Sequence, residues 1–224
     1  METLLNERPL MQQTLGEIAV EIPGVTALFR QHKLDFCCNG NRTLAQACAS
    51  RAIDAEPLLQ VLEHLKEQGQ SPEPITDPAQ LIDHILQRYH EVHRQQLPEL
   101  IQMARKVEAV HRDHPAVPSG LADYLEQLQV ELEQHMAKEE QILFPMLRQG
   151  RRSMVAGPIA VMRHEHLDHG DQLERLVELT NDHTAPQGAC TTWRALFVGT
   201  QRFVDDLMDH IHLENNVLFP IFER

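Results

Sequence analysis

Apolar residues recur at intervals of three and four along most of the chain, the spacing of one buried helix face. In AQLIDHILQRYHEVHRQQLPELIQMARKVEAVH, Leu81, Ile85 and Tyr89 are followed by Leu97, Leu100, Ile101 and Ala104. Alternating Val/Ile/Thr runs bounded by hairpin turns are missing, so the pattern predicts an all-α protein. Four long helical patterns lie near 79–111, 118–148, 154–181 and 190–219. The loops between them, HRDHPAVPSG, QGRRS and NDHTAPQGAC, carry turn formers. Long helices with one apolar face each predict an up-and-down four-helix bundle. Pro98 is expected to kink the first of them or to mark a boundary. Upstream, Pro72, Pro74 and Pro78 with Gly69 and Ser71 rule out a helix, which makes 69–78 a linker. It divides a small helical part, 1–68, from the bundle, 79–224. In the small part Pro23-Gly24 separates two short helices, Asn39-Gly40-Asn41 makes a turn, and Thr43 caps the helix of LAQACAS.

The bundle pattern is written twice. HMAKEEQILFPML, beginning at His135, returns as HIHLENNVLFPIF, beginning at His210, 75 residues later (210 − 135). HEVHRQQLPEL at His90 returns as HLDHGDQLERL at His166, an offset of 76 (166 − 90). Each half is thus a helical hairpin with a His on its first helix and His-x-x-x-Glu on its second. Matched hairpins pack most simply about an approximate two-fold axis.

Residues i and i+4 share a helix face, so His135 with Glu139, and His210 with Glu214, aim in the same direction. Leu132, Ile142 and Leu143, and Leu207, Ile211 and Leu218, continue those faces and point them into the bundle. A buried Glu is costly unless paired or metal-bound, and two related by symmetry repel unless a cation lies between them. His90, His135, Glu139, His166, His210 and Glu214 supply four imidazoles and two carboxylates from four helices. The expected arrangement is two metals, each with two imidazoles, bridged by both carboxylates. Mixed nitrogen and oxygen ligation favours iron over structural zinc. One His-x-x-x-Glu is usually an exposed ion pair; two copies, each partnered by a His on another helix, point instead to a shared site. Leu-Phe-Pro reads as structural, a Phe to pack and a Pro to end or kink the helix. His93 and His169, three residues beyond proposed ligands, read as neighbours rather than ligands. His84, His111, His114, His164, His183 and His212 read as surface or loop residues.

Composition narrows the function classes. The 224 residues are 42% hydrophobic, enough for a core, and include 14 His. Thirty-three acidic against 20 basic residues give a formal charge of −13, which argues against nucleic acid as a partner. No apolar run approaches a membrane span, and METLLNERPL lacks the form of a secretory signal. Four cysteines, two of them adjacent, do not make a disulfide framework and fit a reducing cytoplasm.

These motifs together resemble the hemerythrin-like di-iron bundles, and most closely the iron–sulfur cluster repair di-iron proteins (the RIC family). LGEIAVEIPGVTALFRQHKLDFCCNGNRTLAQAC resembles that family's leader domain, of the ScdA N-terminal type, with Asp-Phe-Cys-Cys-x-Gly at 35–40. RYHEVHRQQLPEL, HMAKEEQILFPM, GPIAVMRHEH, ACTTW and LMDHIHLENNVLFP follow in the family's order. The resemblance implies a hemerythrin-like bundle preceded by the leader, and the same six ligands. It also implies two non-haem irons per chain (oxo- or hydroxo-bridged) and a homodimer. Damaged iron–sulfur proteins would be the clients, and nitric oxide or oxygen small ligands. Oxygen-carrying hemerythrins have a fifth His one turn from another ligand; the positions either side of His166 are Met162 and Gly170, which favours reactivity or metal lability over oxygen storage.

The expected function is repair of iron–sulfur clusters damaged by oxidative or nitrosative stress, with iron supplied from the centre. The alternatives are a nitric oxide reductase and a hemerythrin-like oxygen or nitric oxide sensor. Cys37 and Cys38 are the candidate redox or transfer thiols, expected as thiolates because a helix start follows. Neighbouring side chains diverge, so the pair is expected to chelate one metal poorly.

Overall fold

The computed structural model describes residues 8–69, 75, 77–150 and 152–223. The expected linker, 69–78, lies largely outside the described residues, at 70–74 and 76. Four short helices come first: α1 (Leu15–Glu21), α2 (Val25–Gln31), α3 (Leu44–Arg51) and α4 (Ala55–Gln68). Thr14 and Thr43 cap α1 and α3, each in a reciprocal capping box with Glu17 and Gln46. The two caps also pair with one another in a single antiparallel bridge. The left-handed Gly24, at φ 77°, turns the chain from α1 into α2.

The four long helices follow, three of them with one widened π-turn. The first joins α5 (Pro78–Ile85) through the turn Leu86–His90 to α6 (Glu91–Val110). The second joins α7 (Leu121–Lys138) through Glu139–Leu143 to α8 (Phe144–Arg148). The third is α9 (Arg152–Leu179), and the fourth joins α10 (Thr191–His212) through Leu213–Leu218 to α11 (Phe219–Glu223). In space α6 packs between α7 and α10, and α9 touches the same two, an up-and-down bundle. No β-strand longer than the single bridge occurs among the described residues.

Two expectations about prolines and faces are corrected here, and a third is narrowed. Pro98 lies within α6, which continues past it, so it marks no helix boundary. Pro145 and Pro220 do not end their helices; a π-turn just upstream makes room for each. The Phe144 and Phe219 amides bond back five residues, to the Glu139 and Glu214 carbonyls, immediately before a proline that has no amide to place. The inserted residue also shifts the face: Ile142, expected in the core, is 54% exposed, whereas Leu132, Leu143, Leu207, Ile211 and Leu218 are buried.

Packing divides the bundle into two apolar clusters with a polar layer between. At one end Leu81, Ile85, Phe144, Leu147, Ile159, Met162, Phe219 and neighbours pack together. At the other, Leu97, Leu128, Leu132, Leu173, Trp193, Phe203 and Leu207 share one core with leader residues Ile18, Phe29, Phe36 and Leu44. The leader is therefore fused to the bundle by common burial. Arg30 also pairs with Asp205 (3.2 Å) and Asp209 (2.7 Å), and Asn216 donates to the Phe36 carbonyl (3.0 Å).

This docking corrects the reading of His212, which is buried with its ring edge-on to Phe36, 5.5 Å between centroids. Burial pushes its pKa down to about 4. His164 is exposed, His84 half-buried beside Tyr89, and His111 and His114 pack around Trp193. His183 stands in the loop after α9, its Nδ1 within hydrogen-bond distance of the Thr180 (3.1 Å) and Thr200 (2.9 Å) hydroxyls, which themselves donate to backbone carbonyls.

Two predictions arise. A Cβ on Gly40 would lie 2.5 Å from the Phe36 carbonyl oxygen and 3.1 Å from Asn216 Oδ1. Gly40→Ala should therefore cost about 1–3 kcal/mol, seen as a lower Tm and faster amide exchange in the leader; an unchanged Tm would contradict this packing. Burial lowers the His183 pKa to about 4 from 6.5, so its contribution is complete above pH 6.5 and lost as pH falls toward 4. Thermal melts of His183→Asn should show a flatter pH dependence over that window than the parent; parallel curves would refute the assignment.

Candidate metal centre

The polar layer between the two clusters contains all six residues singled out by the repeat. His90, Glu139, His166, His210 and Glu214 are fully buried and His135 nearly so. Their donor atoms form two sets of four, His90/Glu139/His210/Glu214 and His135/Glu139/His166/Glu214, each set within 4.8 Å. Either set can hold a metal ion. Both carboxylates belong to both sets: Glu139 turns one oxygen to His90 Nε2 (3.4 Å) and the other to His135 Nε2 (3.4 Å). Glu214 does the same for His210 (3.3 Å) and His166 (3.0 Å). The Nε2 atoms of His90 and His210 face each other at 3.2 Å, as do those of His135 and His166.

Hydrogen bonding alone does not satisfy this layer. None of the four carboxylate oxygens has a well-directed hydrogen bond, although all are buried. Orphaned buried carboxylates are strongly unfavourable, and converging nitrogen lone pairs call for a cation or a proton. Within the layer the imidazoles and carboxylates shift one another's protonation. Burial opposes the charge on Glu139, but His135 and His90 outweigh it and hold its carboxyl well below the usual range. Burial likewise opposes a proton on His135, but Glu139 and Glu165 lift its pKa to about 10. His210, where burial prevails, is shifted down.

The outer nitrogens reveal residues the sequence reading did not single out. His90 Nδ1 donates to Glu140 (2.8 Å), His135 Nδ1 to Glu165 (2.9 Å) and His166 Nδ1 to Asn215 (2.9 Å). These bonds fix the tautomer and turn each Nε2 inward. Arg94 holds Glu140 (2.9 Å), and Lys138 holds Glu165 (2.6 Å). The hydrogen bond from His135, helped by Lys138 against burial, brings Glu165 down to about 2. The signal was present in the repeat: Glu140 and Asn215 each follow a proposed bridging Glu. Glu165 precedes His166, and its counterpart before His90 is Tyr89. Tyr89 stacks on His210 (5.4 Å, 10°), whose Nδ1 has no partner, so the two halves differ here.

Aromatic rings close the layer. Phe144 stacks on His90 (5.8 Å) and Phe219 on His166 (6.0 Å), so the Phe of Leu-Phe-Pro also covers an imidazole. His93 and His169 are buried beside His210 and His135 but outside both donor sets. Burial first, with the neighbouring imidazoles, keeps both neutral, His169 down to about 4.

Cys37 and Cys38 lie against this layer. Asn215 donates to the Cys37 carbonyl (2.9 Å), and Cys38 Sγ donates to the His166 carbonyl (3.1 Å). Two expectations about the pair are corrected. The sulfurs converge to 3.4 Å instead of diverging. The next helix begins only at Leu44, and the hydrogen bond with Cys38, burial and Asp35 push the Cys37 thiol well up rather than down.

Comparison with known proteins agrees with this architecture. A family model described as the hemerythrin HHE cation binding domain matches residues 81–222, and ScdA_N, a domain of unknown function (DUF542), matches 11–66. The iron-sulfur cluster repair protein YtfE of Citrobacter koseri is 54% identical over 209 residues, covering 93% of this chain and 95% of that protein. YtfE of Dickeya chrysanthemi is 52% identical over 210 residues, and YtfE of Escherichia coli K12 is 53% identical over 209, both with the same coverage. The chain belongs to the YtfE family of iron–sulfur cluster repair proteins, with the hemerythrin HHE cation-binding domain as its larger part.

Proposed function

We propose that this chain repairs iron–sulfur clusters damaged by oxidative or nitrosative stress by supplying iron from a dinuclear centre. His90 and His210 would hold one iron and His135 and His166 the other, with Glu139 and Glu214 available to both. The observation that carries this reading is the sharing of two buried carboxylates, with all four oxygens unsatisfied, between two pairs of facing imidazoles. The donor set fits iron, since imidazole and carboxylate ligands suit it and no thiolate is included. Family membership supports the same reading, as the similar proteins are named for cluster repair.

Bound iron supplies ligand exchange and one-electron chemistry. The chain's own residues hold and orient. Glu140, Glu165 and Asn215 fix three imidazoles, while Phe144, Phe219 and Tyr89 lie over rings and exclude water. The imidazoles and carboxylates hold ferrous cargo through bonds that exchange, which suits delivery. The proposal includes damaged iron–sulfur proteins as clients, the cytoplasm as location, a homodimer as the working form, and nitric oxide or oxygen as small ligands. Four free cysteines, and the lack of any helix long and apolar enough to cross a membrane among the described residues, are compatible with it.

Ferrous-loaded protein mixed with an apo-cluster protein should lose iron as the client regains its cluster absorption. Repeated nitrous oxide formation without iron loss would instead assign a reductase, and equal activity from a zinc-only preparation would defeat both. Glu165→Gln, which weakens the anchor on His135, should reduce metal affinity about 10–100-fold, with an unchanged circular dichroism spectrum. Iron loading should also raise Tm, because a ligand that binds only the folded state stabilises it; an unchanged Tm would contradict the assignment.

A further inference from the structure

The repeat breaks at one place where the leader meets the bundle. The first half has Arg94, which clamps Glu133 and Glu140; the second has Gly170 at the equivalent position. A Cβ at Gly170 would lie 3.1 Å from Cys38 Sγ, so the missing side chain is what lets the thiol approach α9. Beside it, Cys37 Sγ lies 3.4 Å from Cys38 Sγ and 3.3 Å from Asp35 Oδ1. Asp35 is held in place by the Cys38 amide (2.9 Å) and by Asn39 Nδ2 (2.6 Å). All three donor atoms fall within 4.8 Å of one another, as metal ligands do.

The two cysteines line a cleft of about 610 Å³ between leader and bundle. Glu17, Glu21, Arg163 and Asn216 are among its walls, and Arg163 is occupied by Glu223 (2.9 Å) and the Asn215 carbonyl (3.1 Å). The group is also one residue from the buried layer: Cys38 touches the backbone of His166, and Asn215 spans from Cys37 to His166 Nδ1.

We propose that Asp35, Cys37 and Cys38 form a second cation site, an exit station that takes ferrous iron from the His166 side and presents it to the cleft. Two sulfurs and one carboxylate oxygen leave a coordination position open, as in sites that exchange ligands rather than hold a metal permanently. The step moves no electrons. Fe(II) remains Fe(II), two metal–sulfur bonds form as bonds to imidazole and carboxylate break, and the two thiol protons leave to solvent through the cleft. Cys38 thereby gives up its hydrogen bond to the His166 carbonyl, which couples filling of the outer site to the inner one.

The cation site stands on its own geometry, and its use as an exit rests on the iron-supply reading. Titration of the metal-free full chain with Co(II) separates the two. The parent should take up about one equivalent more than Cys37→Ser/Cys38→Ser, and that equivalent should carry sulfur-to-cobalt charge-transfer absorption, lost in the double variant. Asp35→Asn should weaken the same equivalent while leaving the circular dichroism unchanged. A parent without the sulfur band, or a band that survives the double substitution, overturns the site. If the band appears but no further cobalt binds in either protein, the site stands and the dinuclear reading fails. Transfer of ferrous iron from loaded protein to an external chelator should slow several-fold in the double variant; equal rates overturn the exit role.

Discussion

Two carboxylates placed in the middle of an apolar bundle are the constraint on which the rest of the structure depends. Glu139 and Glu214 have no exposure and no well-directed hydrogen bond. Such groups are tolerated only where a cation or a charged partner meets them. Four imidazoles from four helices converge on them, and the arrangement places two donor quartets side by side. The polar layer in turn splits the core into two apolar clusters, which clamp it from above and below. Outer hydrogen bonds from Glu140, Glu165 and Asn215 then turn a set of nearby rings into an oriented one.

The backbone serves the same constraint. Widened turns occur at His90, at Glu139 and at Glu214, the ligand-bearing stretches of three long helices. Each inserts one residue into the helical register, and such turns concentrate at functional sites. The leader completes the enclosure on one side. It buries His212, bonds Asn215 and Asn216 through backbone carbonyls, and sets Cys38 in the space left by Gly170. The pseudo-symmetric bundle is thus asymmetric in its surroundings: an Arg94 clamp and a Tyr89 stack on one side, a thiol pair and Glu165 on the other.

Much of this was legible in the residues. The three-and-four spacing placed the long helices, and the doubled His-x-x-x-Glu with its partner histidines marked the six residues that converge. A periodic pattern assumes a uniform helix, however, and the π-turns break that assumption. Hence Ile142, expected inside, lies outside, and Pro145 and Pro220, expected to end or kink their helices, each sit in a helical stretch that continues beyond a π-turn. His212 was misplaced because its burial comes from Phe36, far away in sequence. The convergence of Cys37 and Cys38 depends on a backbone bend pinned by Asp35, which no spacing rule encodes. The outer anchors Glu140 and Asn215 were visible as matched positions in the repeat, but their role required knowing which ring nitrogen faces inward.

The most direct test of the account is iron-edge anomalous scattering from crystals of ferrous-loaded protein. It should give two peaks per chain, one between His90 and His210 and the other between His135 and His166, with Glu139 and Glu214 reaching both. A single peak, or iron bound only away from these carboxylates, would contradict it.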